Sequence, residues 1–293
     1  MNILVTGAKG QLGSQIINII TKKNSELGKI DKRYNESIVK GIDIEDLDIT
    51  NIEDTRKYLN EFKPDIVINP AAYTNVDNCE TNEDLAFKVN SLGPRNLAMI
   101  CAELDCKLLH ISTDYVFEGN GSIPYKEYDE TNPSSVYGKT KLQGEKYIKE
   151  FSSKYFIVRT AWLYGYNGNN FVKTIIKASK ERGSLKVVDD QRGNPTNAED
   201  LAYHILKIAL TEEYGVYHCT GKGECSWFDF ASKIVKLAKI DATVMPCDSN
   251  EYKRPAKRPS FSSLDNMMLR CTVGDEMRNW EDALEQFILN QDK

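Results

Sequence analysis

Short runs of apolar and β-branched residues alternate with longer amphipathic stretches from the first residues of the chain. Runs of this length, bounded by turn-forming residues, indicate buried strands. In the first half the pattern predicts strands at Ile3–Thr6, Ser37–Ile42, Asp65–Asn69, Lys107–Ser112 and Tyr155–Ala161. The stretches between them predict helices over Gln11–Lys22, Asn51–Phe62, Asn82–Leu104 (interrupted at Gly93-Pro94) and Ser134–Ser152.

Regular alternation of strands and helices favours right-handed crossover connections, and therefore a parallel sheet. The strand runs are apolar throughout, as expected for strands that helices cover on both faces. We therefore predict an α/β protein with a Rossmann-type, doubly wound parallel sheet.

The pattern changes after a glycine- and asparagine-rich loop at Gly165–Asn170. It then predicts helices over Phe171–Arg182, Ala198–Leu210, Trp227–Ile240 and Trp280–Asn290, with short strands at Leu185–Val188 and Val216–Cys219. We assign residues 1–168 and 185–220 to a dinucleotide-binding domain. Residues 169–184 and 221–293 are assigned to a smaller C-terminal α/β domain that binds the substrate.

Composition and charge exclude several classes of protein. With 38 basic and 43 acidic residues, the net charge is −5, which lacks the basic footprint of a nucleic-acid-binding protein. No apolar run approaches the ~20 residues needed to cross a membrane, and no signal peptide precedes the first strand. The seven cysteines lack Cys-x-x-Cys spacing, and His110, His204 and His218 lack ligand spacing. We expect a cytoplasmic protein without a bound metal.

The loop after the first predicted strand carries Gly7, Gly10 and Gly13 and leads directly into a helix. Glycines at such a turn let the backbone approach a pyrophosphate, which the helix N-terminus stabilises. The spacing is Gly-x-x-Gly-x-x-Gly, and no Gly-Lys-Ser/Thr follows, so a P-loop is excluded. We predict a dinucleotide site that includes Gln11 and Leu12.

Asp43 follows the second predicted strand, where an acidic residue binds the ribose hydroxyls of a dinucleotide. Its carboxylate would repel a 2′-phosphate and favour NADH, but neighbouring cations would offset this effect. The cofactor is therefore predicted as NADPH or NADH. Asp48 is placed near the adenine, with a helix-capping role as the alternative.

Tyr137 and Lys141 lie four residues apart, on one face of a predicted helix. Tyr203 and Lys207 share this spacing, so the spacing alone does not identify a site. Their positions distinguish the two pairs. Only Tyr137/Lys141 follows a strand that brings Ser112-Thr113-Asp114 to the ligand-binding edge of the sheet. An ammonium beside a phenol favours its ionised form, which suits proton transfer, and Thr113 or Ser112 would hold a substrate carbonyl.

Taken in order, these motifs resemble the extended short-chain dehydrogenase/reductase family, and within it the dTDP-4-dehydrorhamnose reductases. The stretches that carry the resemblance are Asn69–Tyr73, Val76–Glu80, Ser112–Phe117, Tyr137–Lys141, Arg159–Tyr164, Asp190–Thr196 and Arg258–Ser260. Some family members bind magnesium at a dimer contact through a carboxylate placed where this chain has Ser14, so no metal is expected.

The resemblance implies specific roles. Tyr137 donates a proton to the sugar C4 oxygen, Thr113 hydrogen-bonds that oxygen, and Lys141 holds the nicotinamide ribose. Ala71, Ala72 and Tyr73 line the cofactor. The residues expected to contact the nucleotide sugar, besides Thr113 and Tyr137, are Asp114, Trp162, Gln191 and Arg258, the last within a cationic loop with Lys253, Arg254 and Lys257.

The expected activity is reduction of dTDP-4-dehydro-6-deoxy-L-mannose to dTDP-L-rhamnose by a cytoplasmic protein that forms a homodimer. An alternative is an epimerase or dehydratase of another nucleotide sugar, although a dehydratase needs an Asp-Glu doublet after the threonine that this chain lacks. A second alternative is a non-catalytic, NADP-binding regulatory subunit of methionine adenosyltransferase.

Overall fold

The computed structural model describes residues 1–251 and 254–291. In chain order the strands in these residues are β1 (Asn2–Val5), β2 (Asn24–Ser25), β3 (Gly28–Lys29), β4 (Ile38–Gly41), β5 (Ile66–Asn69), β6 (Lys107–Thr113), β7 (Tyr155–Thr160), β8 (Leu163–Tyr164), β9 (Ser184–Val188), β10 (Arg192–Gly193), β11 (Thr196–Asn197), β12 (Gly215–His218), β13 (Cys225–Ser226) and β14 (Thr243–Cys247). The α-helices are α1 (Gln11–Lys22), α2 (Ile52–Phe62), α3 (Val76–Thr81), α4 (Glu83–Phe87), α5 (Gly93–Glu103), α6 (Val136–Phe151), α7 (Phe171–Arg182), α8 (Ala198–Ala209), α9 (Trp227–Leu237), α10 (Met267–Cys271) and α11 (Trp280–Asn290).

A six-stranded parallel sheet forms the centre of the molecule, in the order β12-β7-β6-β5-β1-β4. The chain runs from β1 outward to β4 on one side and from β5 outward to β12 on the other. This reversal beside β1 is the topological switch point at which open α/β sheets bind ligands. The prediction of a Rossmann-type, doubly wound parallel sheet is confirmed.

Helices cover both faces of this sheet. On one face, Ile16 of α1 and Ile205 of α8 pack against the strands. On the other face, Leu59 of α2 and Leu97 of α5 do so. The strands therefore present apolar side chains in both directions, which explains why their sequence shows no alternation.

A third core lies outside the sheet and is built by α7, α9 and α11 around Phe230, Trp280 and Phe287. Strand β9 pairs in parallel with β14 here, and its Leu185 side chain belongs to this core. Strand β9 is therefore not part of the six-stranded sheet. The assignment of residues 1–168 and 185–220 to one domain and of 169–184 and 221–293 to the other stays a prediction.

The long helix predicted over Asn82–Leu104 is divided into α4, a π-helical segment at Lys88–Leu92, and α5. Pro94 follows the π-helical segment in a continuous helical run, and its missing N–H cannot donate to a carbonyl of the preceding turn. Asn82 ends α3 and precedes α4 with a non-helical backbone. Asn90 lies in the π-helical segment and is fully buried.

Candidate active site

The glycine loop between β1 and α1 has the backbone that a close-approaching ligand requires. Gly7 has a φ of 53°, and a Cβ there would lie 3.1 Å from Ala71. A Cβ at Gly13 would lie 2.2 Å from the Gly7 carbonyl oxygen, so only glycine lets α1 pack against the loop. No side chain caps the start of α1 at Gly10, which leaves its N–H groups for an anionic ligand.

A cavity of about 910 Å³ opens at the carboxyl edge of the sheet, above this loop. It brings together most of the predicted site residues: Gly7, Gly10, Gln11, Leu12, Gly13, Asp43, Asp48, Ala71, Ala72, Tyr73, Thr113, Asp114, Tyr137, Lys141 and Trp162. The cavity thus joins the glycine loop to the Tyr137/Lys141 pair. Tyr203 and Lys207 lie on α8 away from it, where Lys207 forms an ion pair with Glu276.

Asp43 lies at the far end of the cavity, just beyond β4. One carboxylate oxygen accepts a 3.0 Å hydrogen bond from the Lys9 backbone N–H, and the other accepts from Ile44. The Lys9 ammonium is itself paired with Glu45 at 2.9 Å. Asp48 accepts from the Thr50 backbone N–H at 2.9 Å, two residues before α2 begins.

Asn90 of the π-helical segment supports the wall formed by Ala71, Ala72 and Tyr73. Its Oδ1 accepts from the Tyr73 N–H at 2.8 Å, and its Nδ2 donates to the Tyr73 carbonyl at 3.1 Å. The same Nδ2 lies 3.3 Å from the Thr140 hydroxyl of α6. This amide therefore ties the cofactor wall to the helix that carries Tyr137.

Tyr137 lies in the first turn of α6, whose start is fixed by local contacts. The Ser135 hydroxyl caps the helix by accepting from the Gly138 N–H at 3.1 Å. A Cβ at Gly138 would lie 2.2 Å from the Tyr115 carbonyl oxygen, so glycine allows the helix to approach the end of β6. The Tyr137 ring packs edge-on against Tyr115, with centroids 5.5 Å apart.

Burial raises the pKa of Tyr137, while the neighbouring Thr113 hydroxyl acts in the opposite direction. The sequence predicts that Lys141 favours the ionised phenol, whereas in the structure burial raises the pKa of Tyr137 and favours the protonated form. The phenol therefore keeps its proton at neutral pH. A protonated phenol is the form that can act as a general acid.

Thr113 ends β6 with its hydroxyl at the cavity wall. Its Oγ1 donates to Asp114 Oδ1 at 2.9 Å and accepts from the Tyr115 N–H at 3.3 Å. Burial raises the pKa of Asp114 to about 6, although the Thr113 hydrogen bond opposes this shift. The two side chains form a polar patch beside Tyr137.

Lys141 is almost fully buried one turn after Tyr137. Its Nζ donates to the Ile111 carbonyl at 2.6 Å and lies 3.1 Å from His110 Nε2. Burial lowers its pKa to about 7, and the more distant Glu145 only partly offsets this effect. Both the amine and the ammonium form of Lys141 are therefore accessible near neutral pH.

Trp162 forms the opposite wall of the cavity in a strained conformation. Its φ of 46° lies in the left-handed region that large side chains rarely adopt. The indole stacks on Trp227 with centroids 3.5 Å apart and planes 6° from parallel. A Cβ at Gly193 would lie 2.7 Å from the same indole, so Gly193 makes room for this stack.

Two predicted substrate residues lie outside the cavity lining. Gln191 donates to the Ser249 hydroxyl at 2.7 Å. Arg258 forms an ion pair with Asp77 of α3 at 2.9 Å, and Arg254 pairs with the same carboxylate at 3.4 Å. Lys253 of the predicted cationic loop lies outside the described residues.

Sequence reasoning assigned no role in the site to Trp227, Thr6, Asn69 or His110. Trp227 begins α9, and nothing in its local sequence indicates that it stacks on Trp162. The other three lie on or just after β1, β5 and β6, where an apolar strand pattern predicts core residues. The sequence signal that could have identified them is the presence of polar side chains within apolar strand runs.

Among residues 1–251 and 254–291, no three His, Cys, Asp or Glu side chains form a group that could hold a metal ion. In the same part of the chain, every helix is too short or too polar to cross a membrane.

Comparison with known proteins places this geometry in context. Residues 1–292 match the family model described as RmlD substrate binding domain. A dTDP-4-dehydrorhamnose reductase of Aggregatibacter actinomycetemcomitans is 38% identical over 97% of both chains. The crystal structure of a Clostridium acetobutylicum dTDP-4-dehydrorhamnose reductase has a TM-score of 0.94 and 48% identity over 100% of both chains. That of a Bacillus anthracis reductase of the same name, in complex with NADP, has a TM-score of 0.92 and 42% identity over 98% of both.

Proposed function

Because this chain belongs to the RmlD substrate binding domain family, we propose that Thr113, Tyr137 and Lys141 carry out its reaction on a nucleotide sugar. The chain is an oxidoreductase that uses NADPH or NADH. It reduces the C4 keto group of dTDP-4-dehydro-6-deoxy-L-mannose to give dTDP-L-rhamnose, the last step of dTDP-rhamnose biosynthesis. The observation that supports the assignment of residues is that one cavity joins the glycine loop to Tyr137 and Thr113.

The loop and cavity fit a dinucleotide cofactor. Side chains are absent where Gly7 meets Ala71 and where Gly13 meets the Gly7 carbonyl, which leaves the N-terminus of α1 open to a pyrophosphate. Asp43 would accept from the ribose hydroxyls, and Ala71, Ala72 and Tyr73 would line the other end, with Gln11, Leu12 and Asp48 along the cavity. When bound, the cofactor supplies the hydride that reduces the carbonyl carbon.

Tyr137 supplies the proton. Its raised pKa keeps the phenol protonated at neutral pH, so it donates to the C4 oxygen as negative charge develops there. The Thr113 hydroxyl, which donates to Asp114 in the ligand-free protein, turns to hydrogen-bond the same oxygen. Two donors thus converge on the atom that becomes an alcohol.

Lys141 holds the nicotinamide ribose. Two of the hydrogen-bonding positions of its Nζ are occupied by the Ile111 carbonyl and His110. The side chain also lines the cavity. The remaining N–H is available for a ribose hydroxyl. Burial fixes this long side chain before a ligand arrives, which reduces the entropy lost on binding.

We assign the substrate contacts to four further residues. Trp162, stacked on Trp227, offers a flat apolar wall to the sugar ring, and Asp114 offers a carboxyl group beside it. Arg258 lies near Tyr115 at the cavity, since its charge lowers the pKa of that phenol against the larger effect of burial. Arg258 would bind the nucleotide diphosphate by exchanging its contact with Asp77, and Gln191 would reach the nucleotide from the β9–β10 connection.

The cellular setting completes the proposal. We place the enzyme in the cytoplasm, where nucleotide sugars and reduced nicotinamide cofactors are available, and we assign it to a homodimer. Size-exclusion chromatography with light scattering tests the second statement, and a monomer at micromolar concentration would contradict it.

The first experiment follows nicotinamide absorbance with the purified protein, dTDP-4-dehydro-6-deoxy-L-mannose, and NADPH or NADH in parallel. We expect cofactor oxidation that depends on the sugar, with dTDP-L-rhamnose as the product. Loss of water or inversion at C3 or C5 of the sugar would instead indicate a dehydratase or an epimerase. Cofactor binding without turnover would contradict the reductase assignment and favour a regulatory subunit.

A further inference from the structure

A chain of buried polar side chains runs beneath the cavity from the glycine loop to α6. The Thr6 hydroxyl donates to Asn69 Oδ1 at 2.6 Å, and Asn69 Nδ2 lies 3.0 Å from His110 Nδ1. His110 Nε2 then lies 3.1 Å from Lys141 Nζ. None of the four is more than 2% exposed, so water does not compete for these contacts.

The sheet itself builds this chain. Asn69 and His110 are register partners on the neighbouring parallel strands β5 and β6, so their side chains project from the same face. Thr6 directly follows β1, the strand on the other side of β5. Lys141 reaches down from α6 to complete the row, one turn after Tyr137.

The orientation of the Asn69 amide indicates which nitrogen of His110 carries the proton. In the structure its oxygen faces the Thr6 hydroxyl and accepts from it, and its nitrogen faces His110 Nδ1 and donates to it. A neutral imidazole whose Nδ1 accepts carries its proton on Nε2. That N–H points at Lys141 Nζ, which can accept it only through the lone pair of the amine form.

We propose that His110, oriented by Asn69 and Thr6, is a positioning residue that holds Lys141 Nζ against the Ile111 carbonyl and favours the amine form of Lys141 in the ligand-free enzyme. The proposal deepens the role given to Lys141 above and rests on that proposed function. It assigns His110 no contact with substrate or cofactor.

Among the groups around Lys141, we assign the effect on its protonation to His110. The charged side chain that acts on Lys141 is Glu145 on α6, which Arg159 on β7 binds. Asp114 after β6 and Cys79 on α3 lie beside Tyr137, one turn before Lys141 on α6. Both oxygens of Glu145 are bound by Arg159, which reduces the attraction that this carboxylate exerts on Lys141. Burial lowers the pKa of His110 further below its usual value, so the imidazole stays neutral.

The test compares His110→Gln with the wild type and with His204→Gln. His204 is also a buried histidine, but it lies on α8 and bonds to the Asp200 carbonyl and the Glu276 N–H. NADH affinity, measured by the nicotinamide fluorescence of the bound cofactor from pH 5.5 to 9.5, reports whether Lys141 carries its proton. This measurement requires no turnover, so its result does not depend on which sugar the enzyme reduces.

We expect wild-type affinity to fall as the pH rises through about 7, the pKa of Lys141. Glutamine at position 110 can turn its amide oxygen towards the ammonium, so this midpoint should rise by about one pH unit in His110→Gln. His204→Gln should lose thermal stability and keep the wild-type midpoint. An unchanged midpoint in folded His110→Gln would overturn the proposal and leave His110 a structural residue.

Nitrogen NMR of the imidazoles tests the proton position without relying on that variant. In the wild type, we expect the His110 signals of a neutral ring protonated at Nε2. Thr6→Val preserves the shape of the side chain but frees the Asn69 amide to rotate, so the Nδ1-protonated form should become populated and the affinity midpoint should rise by a smaller amount. A wild-type ring protonated at Nδ1 would overturn the proposal.

Discussion

Lys141 on α6 and Arg159 on β7 are two buried cations near Glu145, and their surroundings differ. Arg159 on β7 donates from Nε and Nη2 to the two oxygens of Glu145, at 2.9 and 2.8 Å, with the side chains 2% and 0% exposed. Lys141 lies four residues before Glu145 on α6, yet its Nζ meets only a carbonyl and an imidazole.

The paired charge of Arg159 stabilises the fold, whereas the proposed role of Lys141 is in the reaction. A bidentate pair fixes both ionisation states, so Arg159 and Glu145 stay charged across the physiological range. A buried cation without a direct carboxylate has its pKa lowered, and Lys141 can therefore gain or lose its proton near neutral pH. The predictions below test whether activity depends on the Lys141 region and stability on the Arg159 region.

Tyr137→Phe should have the largest effect, and it should act on activity alone. Removing the general acid lowers kcat by roughly 10²–10⁴-fold, because no other proton donor with this placement replaces the phenol. Cofactor affinity and the thermal midpoint should stay close to wild type. Tyr203→Phe is the matched control, since it changes the other Tyr/Lys pair on α8, and turnover there should be unaffected.

Glu145→Gln should act on stability instead. It leaves Arg159 buried without its counter-charge, which costs about 3–5 kcal/mol of unfolding free energy. Chemical denaturation measures the loss, and the folded fraction should retain turnover within a few-fold. Glu181→Gln removes the exposed partner of Lys177 and should cost under ~1 kcal/mol; equal losses in the two variants would contradict the comparison.

Lys141→Met should lower activity and raise stability together. The folded protein lowers the pKa of Lys141 from 10.5 to about 7, so the buried ammonium costs stability. Because the unfolded chain holds this proton more tightly, that cost is absent above about pH 10.5, grows as the pH falls towards 7, and is constant below it. Denaturation at pH 7 should therefore show a gain on the order of a few kcal/mol that disappears near pH 10.5.

Asp43→Asn removes a carboxylate that is only half-buried. We expect its effect to be smaller than those of Tyr137→Phe, Glu145→Gln and Lys141→Met. Removing the negative charge reduces repulsion of a 2′-phosphate, so the affinity for NADPH relative to NADH should rise by about 10-fold at low ionic strength. Titration of both cofactors at two salt concentrations measures the ratio. A ratio that does not change would show that Lys9 and Glu45, not Asp43, control that end of the cavity.

The sequence predicts the site best where function is encoded within one strand–turn–helix unit. The glycine loop, Thr113 at the end of β6 and Tyr137 at the start of α6 are local features, and one cavity brings them together. Gln191 and Arg258 lie in irregular connections whose path depends on tertiary packing, and the structure places them beside Ser249 and Asp77. The sequence does not identify His110 as a site residue, because its hydrogen-bond partners Asn69 and Lys141 come from two distant segments of the chain.

The pairing of β9 with β14 also has consequences for folding during synthesis and for limited proteolysis. The third core needs residues from Tyr164 to Val187 and again from Cys225 to Phe287. Between these segments, α8 packs against the central sheet and β12 is a strand of it. During synthesis, that core cannot close until the last helix leaves the ribosome, although the sheet strands up to β7 emerge much earlier. A protease cut between β9 and β12 would therefore produce two fragments that stay associated, each lacking part of both cores.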